Sequence, residues 1–116
     1  MQKKQPKKPV SVHWKVRLTR SGNKQYLART LSLSAKHLHL ESEYNLKAGE
    51  KVKVEVSALH NGVKKVLVIL GLVRSSILLS TGTSYGLDIK IEKISETDQA
   101  FIDGYIKARE GLVGVR

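Results

Sequence analysis

From Val10 the chain alternates strictly, with Val10, Val12, Trp14, Val16 and Leu18 on one side and Ser11, His13, Lys15, Arg17 and Thr19 on the other. A sustained period of two predicts a half-buried β-strand, because successive strand side chains point to opposite faces. Ser21-Gly22-Asn23 reads as its turn, and a second strand is predicted from about Tyr26 to Leu33. Leu38 and Leu40, with His37 and His39 opposite, continue the period. After a break at Leu46-Lys47-Ala48-Gly49, Val52, Val54 and Val56 alternate with Lys51, Lys53 and Glu55. Asn61-Gly62 then signals a tight hairpin, since both residues tolerate the positive φ of a type I′ turn. Val63 to Val73 is apolar on both faces, which predicts a strand that is central or covered on its outer side. A further strand near Ile77 to Leu79 reaches the turn Thr81-Gly82-Thr83-Ser84, and Leu87, Ile89 and Ile91 alternate with Asp88, Lys90 and Glu92 in the last strand.

Only beyond Ser95 does the period become helical. Ser95-x-x-Asp98 has the form of a capping box with a shorter acid, and Phe101, Ile102, Tyr105 and Ile106 make an apolar stripe over two turns. One helix is therefore predicted to pack on the sheet, plugging the open end of a barrel. Short antiparallel strands at hairpin spacing followed by one helix predict an all-β, mainly antiparallel fold: a six- to seven-stranded β-barrel with a C-terminal α-helix. Closure also removes exposed sheet edges. The expected organisation is a basic flexible arm over 1–9, the barrel and helix over 10–110, and a short tail over 111–116.

Composition narrows the classes. A chain of 116 residues supports one core, and 41% hydrophobic with 27% charged residues is ordinary for a globular domain. The lack of cysteine excludes a disulfide framework, a thiol nucleophile and Cys-ligated metal. The longest apolar run, Val66 to Val73, is eight residues, far short of the ~20 that span a bilayer. Pro6 and Pro9 precede an alternating segment rather than the solid apolar stretch of a signal peptide, so a cytoplasmic location is expected.

Charge changes the picture most. The formal net charge is +11, and residues 1–40 hold ten Lys/Arg and no acid, against eleven basic and ten acidic residues in the rest. A field of one sign concentrates anions near it, so the ligand or partner is expected to be anionic.

No Gly-x-Ser-x-Gly, phosphate-loop or His-Glu-x-x-His motif occurs, and the acids do not pair with the histidines at informative spacing, so no catalytic residue is assigned and no enzyme is expected. His37 and His39 share a strand face and would bind a metal only if His13 or Glu41 approached; the ordinary reading is a solvated face, and no metal is assigned. His60 looks incidental beside its turn. Trp14 faces inward while Phe101 and Tyr105 belong to the helix stripe, so the ring platform of a single-strand nucleic-acid binder is missing.

The order of elements resembles the PilZ domain, a bacterial six-stranded barrel with a C-terminal helix that acts as a cyclic di-GMP receptor. The resemblance covers roughly residues 4–109. It rests on Arg29-Thr-Leu-Ser-Leu-Ser-Ala-Lys-His-Leu-His-Leu40, on Leu46-x-x-Gly49-x-x-Val52-x-Val54, on Tyr85-Gly86-Leu87-Asp88-Ile89 and on the helix Ile102 to Arg109. The family's Arg-x-x-x-Arg corresponds here to Lys4-Gln-Pro-Lys-Lys8, which keeps charge for phosphate but loses the flat guanidinium that forks and stacks. Its Asp/Asn-x-Ser-x-x-Gly corresponds to Ser32-Leu-Ser34-Ala-Lys-His37, with Ser34 conforming, Ser32 in the acid position and His37 in the glycine position. A charge-assisted hydrogen bond missing at Ser32 costs roughly 1.5–3 kcal/mol and a missing arginine stack roughly 0.5–2 kcal/mol. Together these weaken binding by roughly 30-fold to several-thousand-fold. Arg17 and Arg20, on or just past the outward strand face, are the candidates for a substitute clamp.

The resemblance thus implies a non-enzymatic signalling module, a cyclic di-GMP receptor or a degenerate homologue with weakened nucleotide binding, with ligand residues Lys4, Lys8, Arg17, Arg20, Ser32, Ser34 and His37 and no other cofactor. The alternatives are a protein-interaction adaptor using the apolar Val63 to Val73 strand, and a basic barrel that binds nucleic acid through phosphates. A monomer or weak dimer is expected.

Overall fold

The computed structural model describes residues 9–114, with side chains over 9–110. Seven strands and one helix follow in chain order: β1 (Val10–Ser11), β2 (Lys15–Thr19), β3 (Gln25–Leu33), β4 (His37–Ser42), β5 (Lys51–His60), β6 (Val63–Leu78), β7 (Tyr85–Ile94) and α1 (Glu96–Gly114). All pairings are antiparallel, in the order β3-β2-β5-β6-β7-β4, and β4 returns to β3 so that six strands close into a barrel. β1 is an extra strand on the far end of β3. The alternating apolar positions line the interior: Val16, Leu18, Leu38, Leu40, Val52, Val54, Val56, Leu67, Ile69, Leu87 and Ile89 are all buried.

The first alternation does not run through as one strand. It breaks between Ser11 and Lys15, where the buried Thr30 hydroxyl donates to the Val12 carbonyl (2.6 Å) and accepts from the Trp14 amide (2.7 Å). A side chain thus replaces ladder bonds while Val12 and Trp14 stay in the core. Asn61 (φ 53°) and Gly62 (φ 76°) form the expected left-handed turn between His60 and Val63.

The segments read as two strands, Val63 to Val73 and Ile77 to Leu79, are one 16-residue strand. It bends through register shifts at Leu70/Gly71 and Val73/Ser75 instead of ending. Gly71 makes the first shift possible, because a Cβ there would overlap Ile89 Cγ2 and crowd the Lys90 carbonyl oxygen (3.1 Å). β6 is central, between β5 and β7, but among the described residues no element covers its outer face, and Val66, Val68 and Leu70 are exposed.

The helix caps one end of the barrel rather than a face. Ser95 Oγ accepts the Asp98 amide (3.1 Å), as the capping pattern predicts. The Asp98 carboxylate does not reach back to the cap; it accepts the Val68 amide (3.0 Å) and faces Lys65 Nζ (3.4 Å), continuing the hydrogen bonding of β6 past the end of β7. Ile102, Tyr105 and Ile106 are buried, and Tyr105 and Phe101 pack on Trp14 (ring centroids 4.8 and 6.4 Å). His60 is not incidental: its ring lies edge-on to Phe101 (5.9 Å) and Tyr105 (5.2 Å), so the hairpin tip grips the helix. The helix continues to Gly114, into the stretch read as tail.

Candidate functional site

The turn from β3 to β4 gathers three of the predicted residues. Ser32 lies on β3, opposite Ser11 of β1 and His39 of β4. Ser34 follows the strand, and its amide donates to the His37 carbonyl (2.9 Å), closing a short loop over Ala35 and Lys36. That loop is anchored from outside: the Ile91 amide donates to the Lys36 carbonyl (2.9 Å) and Gln99 Nε2 to the Ala35 carbonyl (3.2 Å). Strand β7 and the helix therefore hold the Ser34–His37 turn in place.

The outward side chains beside this turn form a polar ladder across β3, β4 and β7. Ser32 Oγ and His39 Nδ1 are 3.2 Å apart. His37 Nδ1 approaches Asp88 Oδ1 at 3.1 Å, and His39 Nε2 stands 3.7 Å from the same oxygen. Register explains the convergence, since His39 lies opposite Asp88 and His37 opposite Lys90 on the β7 side of β4. Asp88 thus pairs with the histidines, a contact that spacing along the chain does not reveal. It, not His13 or Glu41, is the third side chain to approach them; Glu41 instead accepts from the Ser84 hydroxyl (2.7 Å). Among the described residues no group of three His, Cys, Asp or Glu is placed to hold a metal ion. The ladder offers hydroxyl and imidazole edges for hydrogen bonding, and exposed Lys36 and Lys90 flank it with positive charge.

Lys4 and Lys8 lie outside the described residues, as do residues 1–8 of the arm. The position of β1 is described: Val10 pairs with Leu33 and Ser11 with Ser32.

Arg17 and Arg20 are not brought to this turn. On β3, Leu27 is the partner of Arg17 and Gln25 that of Thr19, while Ser32 lies near the opposite end of the strand. The separation along the strand is on the order of 15–20 Å for Arg17 and more than about 20 Å for Arg20. Arg17 faces Glu55 across β5 (3.9 Å). Arg20 forks onto Glu50, with Nε to Oε2 at 2.5 Å and Nη2 to Oε1 at 2.9 Å, and lies over the Tyr26 ring. The hydrogen bond from Arg20 holds the Glu50 carboxyl below its ordinary range against the opposing effect of burial, and the Arg20 guanidinium is correspondingly raised. The expected concentration of basic charge is also divided. Lys15, Arg17 and Arg29 share the outer face of β2 and β3, whereas Arg20 and Lys24 lie at the opposite end of β3 from Ser32, and Lys36 lies beside β7.

Sequence reasoning missed His39 and Asp88 as members of the cluster. Their outward alternation was legible, but their meeting depends on the pairing of β4 with β7, across 51 residues between His37 and Asp88.

Solved structures share this architecture. The Bacillus subtilis inhibitor of motility MotI/DgrA superposes with a TM-score of 0.83 at 14% identity, over 100% of this chain and 56% of that one. The PilZ domain of Escherichia coli YcgR with cyclic di-GMP superposes with a TM-score of 0.65 at 16% identity, over 96% of this chain and 100% of that one. K. pneumonia MrkH in its apo state matches with a TM-score of 0.62 at 12% identity, over 92% of this chain and 51% of that one. The chain therefore spans about half the length of MotI/DgrA and MrkH. No protein-family model and no curated protein matches the sequence. The fold is PilZ-like, as the residue pattern implied. Among the described residues no helix is long and apolar enough to cross a membrane.

Proposed function

We propose that this chain is a non-enzymatic signalling module of the PilZ type that takes cyclic di-GMP, with weakened affinity, at the Ser32–His37 turn. The observation that supports this reading is the β1–β3 pairing, in which Val10 lies opposite Leu33 and Ser11 opposite Ser32. Lys8 is two residues ahead of Val10, within roughly 7 Å of extended chain. In this reading Lys4 and Lys8 neutralise the phosphates, Ser32 and Ser34 bond a guanine edge, and the arm orders over the ligand. The solved YcgR domain with cyclic di-GMP supports the ligand class.

The weakening has a local cause. Ser32 must exchange its contact with His39 for the ligand, and His37 places a side chain, engaged with Asp88, at the position where the family has glycine. Arg17 and Arg20 are too distant and too engaged to substitute for the missing arginines. Calorimetric titration of cyclic di-GMP at low salt tests the reading. Heat that is saturable for the wild type and reduced by Lys4→Ala and by Ser34→Ala supports it, whereas no heat at high micromolar nucleotide removes it. A second reading, a protein-binding adaptor, is favoured by the exposed apolar residues of β6.

A further inference from the structure

The outer face of β6 from Val66 to Leu72 is apolar, uncovered among the described residues, and framed by lysine at its Leu70–Leu72 end. Val66, Val68 and Leu70 are 57%, 42% and 46% exposed although they lie on a central strand. Register fixes the frame: Leu70 lies between Lys53 of β5 and Lys93 of β7, and Leu72 between Lys51 and Lys90. None of these four lysines makes an ion pair among the described residues. The acids at the Val68 end are engaged, Glu55 with Arg17 (3.9 Å) and Asp98 with Lys65 (3.4 Å) and the Val68 amide, which leaves Glu92 as the opposing charge beside the strip. Singly exposed apolar residues need no explanation; a contiguous row of them that ends between unpaired cations does.

We propose that this strip is the docking site for an acidic amphipathic helix of a partner protein. The inference goes beyond nucleotide binding and does not depend on it. Added strands are excluded along this stretch, because Ile69 to Leu72 is paired with β5 on one side and β7 on the other. A helix fits the spacing: outward residues of a strand recur about every 6.8 Å, and helix positions i and i+4 about every 6 Å. Charge selects the partner. A second copy would bring the same lysines against this frame, and the chain's own leading segment carries Lys3, Lys4, Lys7 and Lys8 without an acid. A lipid surface is disfavoured because the strip has no aromatic side chain, the type that anchors proteins at the headgroup level.

The test uses the full chain and a fluorescent helical peptide of about 15 residues with leucines on one face and glutamates along both borders. Saturable binding to the wild type is expected. It should fall roughly tenfold or more with Leu70→Asp and stay unchanged with Leu27→Asp, a more exposed apolar site elsewhere. Circular dichroism monitors folding of each variant. Charge exchange gives a second readout independent of the leucine: a peptide with lysine in place of glutamate should bind Lys90→Glu/Lys93→Glu protein and not the wild type. In NMR titration, perturbed amides should centre on Val66 to Leu72 and on Lys90 to Ile94. Absence of binding, equal binding of a scrambled peptide, or indifference to Leu70→Asp would overturn the proposal. So would phosphatidylglycerol vesicles that capture the wild type and not Leu70→Asp, or a concentration-dependent dimer abolished by Leu70→Asp. Those outcomes assign the strip to a membrane or to a second copy.

Discussion

Thr30 is a polar side chain with no solvent exposure, and its hydroxyl serves two backbone groups that lack any other partner where the first alternation breaks. Thr30→Val keeps the shape but leaves the Trp14 amide and the Val12 carbonyl buried and unpaired, at about 1–3 kcal/mol for each. Urea denaturation should show a loss of about 2–6 kcal/mol with unchanged m-value. Glu50 gives a pH-dependent counterpart. Its pKa is held down in the folded state by Arg20, so it binds a proton more readily unfolded than folded. Its contribution is therefore complete above the unfolded value near 4.5 and is lost as pH falls through the lower folded value. Wild-type stability should decline more steeply than that of Glu50→Gln below about pH 5, the two curves converging in acid, as read from urea midpoints between pH 7 and pH 3. At the site itself, His37→Gly removes the side chain that occupies the glycine position. It should tighten cyclic di-GMP by about tenfold in calorimetry; unchanged or weaker binding would show that the imidazole is not the obstacle.

At the scale of elements, much was legible because period is local. Alternation located β4, β5 and β7, the turn at Ser21-Gly22-Asn23 located the start of β3, the Asn61-Gly62 signal located a hairpin, and the change to a helical stripe after Ser95 located α1. What was not legible depends on contacts distant in sequence. The break after Ser11 follows from the Thr30 hydroxyl, and the continuity of β6 past Val73 follows from bulges against β7. The polar cluster was half visible: Ser32, Ser34 and His37 fall in one turn of the chain, whereas Asp88 reaches them only through the β4–β7 register. The role of His60 appears only once the helix lies over the hairpin tip. Gly71 is the sharpest test of the β6 geometry, since any side chain there meets Ile89 and the Lys90 carbonyl. Gly71→Ala should destabilise by about 1–3 kcal/mol through overpacking, seen as a lower melting temperature. Gly104→Ala, where an added Cβ meets nothing within 4 Å, should be neutral or slightly stabilising by the same measurement.

For the molecule as a whole, the question left by a net charge of +11 is whether the protein responds to phosphate in general or to one small ligand. Basic side chains point away from several strands of a closed barrel: Lys15, Arg17 and Arg29 from β2 and β3, Lys51 and Lys53 from β5, Lys90 and Lys93 from β7. A stiff duplex can touch one side of such a barrel at a time, so it meets only a fraction of these cations, while a dinucleotide at the Ser32–His37 turn has two phosphates to neutralise. Counterion release then separates the cases. Log affinity for duplex DNA falls with log salt at about 0.9 per phosphate contacted, so cyclic di-GMP, with two phosphates and no condensed counterion atmosphere, should weaken by about tenfold or less between 50 and 200 mM salt. Duplex DNA limited to one side should show a slope of about four or less, against the loss of roughly 10³–10⁵ in affinity expected for six to ten contacts. Fluorescence anisotropy with a labelled duplex and calorimetry with the dinucleotide, run over the same salt series, measure both slopes. A duplex slope above about six would mean that arm and barrel faces act jointly on a polyanion, and the nucleotide reading would give way to that of a nucleic-acid-binding barrel.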